Sequence, residues 1–82
     1  MEIKIALWAY NRLRSEIPSE SAAHEAIENA SRIDHSIEGV LFAGYSIRCN
    51  EDQARVILET AKQCCPEVVR NIEEAITLAQ PG

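Results

Sequence analysis

MEIKIALWAY, residues 1–10, is the stretch that decides how this 82-residue chain folds. Its apolar residues fit two periods at once. Ile3, Ala6, Leu7 and Tyr10, continued by Leu13 and Ile17, share one face of a helix, whereas Ile3, Ile5, Leu7 and Ala9 alternate as a strand does. The residues that follow, Asn11-Arg12-Leu13-Arg14-Ser15-Glu16, contain no turn former before Pro18, and the Ala and Leu content favours a helix. The helical reading is preferred.

That choice is tied to a second stretch, residues 39–48, GVLFAGYSIR. Ile37, Val40, Leu41, Gly44, Tyr45 and Ile47 fit a helical face, yet the segment is also short, aromatic and β-branched, as a buried strand is. A lone strand has no partner. Both stretches are therefore helical, or both are extended and pair with each other. Two strands alone are weak and would need completing across a dimer.

Beyond these two stretches the chain reads as helix. Asn50 with Gln53 forms the polar pair that satisfies the first backbone donors of a helix. Ala54, Ile57, Leu58, Ala61, Cys64 and Cys65 then fall on one face. Pro66 suits the first turn of a new helix, with Glu67 at its positive end and Val68, Val69, Ile72, Ala75, Ile76 and Ala79 as the stripe. Upstream, Ser19 or Ser21 can cap a helix whose inner face, Ala22, Ala23, Ala26, Ile27, Ala30 and Ile33, extending to Ile37, is rich in alanine. The expected fold is all-α: one domain over 1–82, a compact bundle of four to five short helices, with a C-terminal helical hairpin at 50–79. The alternative is α+β, with two short strands within 2–10 and 39–48.

Composition narrows the function classes. Eight basic against thirteen acidic residues give a formal charge of −5, which opposes binding to nucleic acid or an anionic membrane. The first residues have neither a basic leader nor a small-residue cleavage site, and no apolar run approaches the ~20 residues that span a bilayer. Three cysteines, two of them adjacent and too close at Cα for an ordinary disulfide, fit a reducing cytoplasm.

Chemistry-bearing constellations are few. His24, Glu28 and His35 would lie on one side of a continuous helix, but opposite its alanine stripe and so towards water; no metal site is expected. Cys49, Cys64 and Cys65 have no CxxC spacing, and Cys64 and Cys65 fall on an apolar stripe as small hydrophobes. No glycine-rich phosphate loop, GxSxG or HExxH occurs, so no catalytic residue and no cofactor are expected. What remains is surplus apolar surface: Ile5, Trp8, Val56 and Phe42 lie off the stripes. Ile5 and Trp8 with Arg12, joined by Val56, have the composition of an interface anchor. The expected function is a non-catalytic protein-binding module that pairs with itself as a homodimer. The alternative is a regulatory small-molecule binder with a pocket lined by Tyr10, Phe42 and Tyr45.

Overall fold

A computed structural model describes the backbone of residues 1–37 and 40–80 and the side chains of residues 1–34 and 43–80. Strand β1 (Glu2–Ala6) leads directly into helix α1 (Leu7–Glu16), and a short helix α2 (His24–Glu28) follows. Strands β2 (Ser31–Ile37) and β3 (Val40–Arg48) come next. Helix α3 (Glu51–Cys64), a single 3-10 turn at Pro66–Val68 and helix α4 (Val69–Ala79) complete the fold.

The expected all-α bundle, a single helical domain of four to five helices, is overturned. The chain is mixed, with a three-stranded antiparallel sheet in the order β1-β3-β2. The α+β alternative is consistent with this, since strands lie within both 2–10 and 39–48, and a third strand at 31–37 joins them. The ambiguity at residues 1–10 resolves by division. Alternation holds through Ala6, and the 3.6-residue period takes over at Leu7, so that Ala9, Tyr10 and Leu13 are buried along α1.

Pairing decides which side of the sheet is covered. Ile3 sits opposite Ile47 and Ile5 opposite Tyr45, so all four share a face, and the three isoleucines are fully buried. They join Leu13, Ile27, Ala54, Ile57, Ala61, Val68 and Ile72 from the helices in one core cluster. The opposite face carries Glu2, Lys4, Ser31, Ser46 and Arg48, with Glu2 and Arg48 paired at 3.1 Å. In β1 and β3 this is the apolar-in, polar-out alternation of an antiparallel sheet with one solvated face, whereas β2 sets Arg32 opposite Tyr45 and Ile33 opposite Gly44.

The C-terminal hairpin forms as its residues dictate. Asn50 Oδ1 accepts from Gln53 N–H at 2.8 Å and Gln53 Oε1 accepts from Asn50 N–H at 2.9 Å, the reciprocal box anticipated above. An Asn50→Ala variant is expected to lose about 1 kcal/mol of stability. A lower urea midpoint with an unchanged slope would report it.

Helix α4 runs along the outer side of β1. Met1 and Cys49 exchange backbone hydrogen bonds in both directions, at 2.8 and 3.0 Å. Every second residue of β1 after Met1 therefore points its amide and carbonyl at β3, and Glu2, Lys4 and Ala6 point theirs away. The Ala6 N–H is taken by Asn71 Oδ1 of α4 at 3.1 Å. The Ala6 end of this edge is therefore occupied.

Candidate functional site

The residues expected to form one apolar interface patch are separated by the fold. Ile5 is 0% exposed, turned from β1 into the core, and Val56 is half-buried against the core. Trp8 alone projects, at 55% exposure on the first turn of α1. Arg12, one turn further on, is engaged within its own chain. It pairs with Glu16 at 2.7 Å and donates a close hydrogen bond to Glu67 at the start of the 3-10 turn. That bond holds the Glu67 carboxyl below its ordinary range and raises the Arg12 guanidinium.

Of the three aromatics expected to line a pocket, two meet. Tyr10 and Tyr45 stack with ring centroids 3.7 Å apart and planes 12° from parallel. The Tyr10 hydroxyl donates to the Ile27 carbonyl at 2.9 Å, fastening α1 to α2. Burial pushes the Tyr10 hydroxyl upward in pKa, against the opposing charge of Arg14. The Phe42 side chain lies outside the described residues.

The polar constellations are dispersed as well. Helix α2 ends at Glu28 and His35 lies on β2, so the stripe of His24, Glu28 and His35 does not form on one helix. The His35 side chain is outside the described residues. Glu28 is flanked by His24 and Arg14, each at 3.6 Å. Among the described residues, no group of three or more His, Cys, Asp or Glu is placed to hold a metal ion. All three cysteines are free, with Cys49 and Cys65 buried, Cys64 half-buried, and the Cys64 and Cys65 sulfurs 3.5 Å apart. Burial pushes the Cys65 thiol up to about 12, and the hydrogen bond with Cys64 adds to the effect. Such a thiol is not poised as a nucleophile at neutral pH.

The remaining feature is an edge, and no side-chain periodicity signalled it. β2 is the outer strand on the far side from α4. Tyr45 directs its backbone groups at Ile5, so Ser46 and Gly44 direct theirs at Ser31 and Ile33. Arg32 and Asp34 therefore point their amides and carbonyls away from the sheet. Among the described backbone hydrogen bonds outside the sheet and helices, none reaches these groups. Their side chains pair with each other at 3.3 Å, both about half exposed, and the Arg32 guanidinium lies 5.9 Å from the Tyr45 ring centroid. Ile33, half-buried, faces the solvated side opposite Gly44.

Among the described residues no helix is long and apolar enough to cross a membrane. No known protein family, curated protein or solved structure matches the chain.

Proposed function

We propose that the protein is a non-catalytic protein-binding module that associates with itself. The open edge of β2 carries this reading. A row of unpaired backbone donors and acceptors is a template for another strand. Three strands with one face solvated also form a small sheet that gains from extension. On the companion edge, β1, the Ala6 amide is already taken by Asn71 of α4. The three free thiols fit a reducing compartment, and the cytoplasm is the proposed setting.

A second contact is favoured by Trp8. An indole 55% exposed on a helix beside an arginine has the composition of an interface anchor. In this variant reading α1, not β2, meets the partner.

Sedimentation velocity over a concentration series reaching about 0.5 mM tests the proposal, a range suited to a small, weak contact. A shift from monomer to dimer is expected. A monomer throughout would overturn self-association. Because Trp8 is the sole tryptophan, its emission separates the two contacts in the same samples. Emission that moves to shorter wavelength as dimer forms places α1 in the contact, and unchanged emission leaves it with β2.

A further inference from the structure

We infer that β2 pairs antiparallel with β2 of a second copy, across a two-fold axis that passes through Ile33. The inference rests on the self-association proposed above and names its surface and alignment.

Three properties of the strand select this alignment together. The first is backbone phase. Arg32, Asp34 and Ser36 point their amides and carbonyls outward along the edge, so a joining strand must set its own outward residues against them. With the axis at Ile33, Arg32 of each copy faces Asp34 of the other, and each such pair exchanges two hydrogen bonds. The second is charge. Directly opposed residues project to the same side of a sheet within side-chain reach, so Arg32 meets the carboxylate of the second copy's Asp34 twice over. Within the monomer these two side chains are already 3.3 Å apart, and a four-charge cluster of alternating sign results when two copies meet. The third is the apolar residue between them. Ile33 meets Ile33 of the second copy on the other side of the sheet, where it is half-exposed beside Gly44.

Neighbouring alignments fail on charge. The nearest shifts that keep the hydrogen bonds in phase place Arg32 against Arg32 or Asp34 against Asp34. Like charges directly opposed on adjacent strands repel. The sequence Arg32-Ile33-Asp34 is thus self-complementary in one antiparallel alignment and self-repelling in those on either side.

The test uses charge exchange. Arg32→Asp alone places carboxylates opposite carboxylates at both sites of the pair, and Asp34→Arg alone places guanidinium opposite guanidinium. Each variant is expected to raise the dimer dissociation constant by about tenfold or more, since both symmetry-related pairs are affected. An equimolar mixture of the two variants is expected to recover association as a mixed dimer, read by sedimentation equilibrium. This rescue separates an intermolecular contact from damage within the monomer, because mixing cannot restore the Arg32–Asp34 pair inside either chain. Circular dichroism of each variant confirms that it is folded. Single variants that dimerise like the parent overturn the inference but leave self-association standing, and point to Trp8. Folded single variants that stay monomeric when mixed overturn the inference as well. A monomeric parent overturns both.

Discussion

An Ile5→Glu variant is expected to be largely unfolded at 25 °C, losing its native far-ultraviolet circular dichroism and its cooperative melt. Ile5 is 0% exposed, paired with Tyr45 across the β1–β3 ladder and surrounded by the core. Removing its burial forfeits about 1.5–3 kcal/mol. Placing a carboxylate there adds a desolvation cost of several kcal/mol, or else forces the group to stay protonated. The sum is comparable to the ~5–15 kcal/mol that holds a typical domain together. Trp8→Glu is the matched control. At 55% exposure it should change stability by only about 0.5 kcal/mol. Sequence spacing put Ile5 and Trp8 in one surface patch, and the fold sends one inward and leaves the other out. Should the two variants behave alike, β1 is not the strand described here.

Alkaline pH should unfold the protein earlier than its size would predict. Cys65 is 0% exposed and its thiol is pushed from 9.0 to about 12 in the folded chain, by burial first and by the neighbouring Cys64 second. In the unfolded chain the thiol ionises near its ordinary value, so the folded state binds its proton over a wider range. The associated stability is whole below about pH 9 and is lost progressively as pH climbs towards 12. Tyr10 and Cys49, both raised by burial, act with the same sign. Cys65→Ala isolates the effect. Near pH 8 the variant should melt below the parent through lost packing, and the gap should close and then invert as pH rises above 10. A constant gap from pH 8 to 11 would show that the thiol ionises freely in the folded protein.

The C-terminal hairpin and the start of each of its helices were legible in the sequence because their signals are local. Asn50 and Gln53 are three residues apart, and Pro66 marks the junction by its own backbone chemistry. The sheet was less legible because its stabilising contacts are distant: Ile3 meets Ile47 and Ile5 meets Tyr45 across most of the chain. Apolar residues at 33 and 37 fit a helix continuing from the alanine stripe as well as they fit a strand, so β2 was absorbed into a helix that in fact stops at Glu28. The Tyr10–Tyr45 stack joins two of the aromatics that the sequence singled out. The self-complementarity of Arg32 and Asp34 has no meaning until β2 is known to be an outer strand.

The way α4 lies over β1 also limits how large any assembly can grow. A sheet with two bare borders can add copies at both, and such growth has no natural end. Here Asn71 of α4 occupies the Ala6 amide on one border, which hinders strand addition there and leaves β2 the freer edge. Joining two copies uses up that freer edge in both. The product would be a six-stranded sheet with a helix against each flank. A single amide-bearing side chain on α4 thus helps set the difference between a pair and a fibril. Loosening α4, rather than altering β2, is the change that would open a path to indefinite polymers.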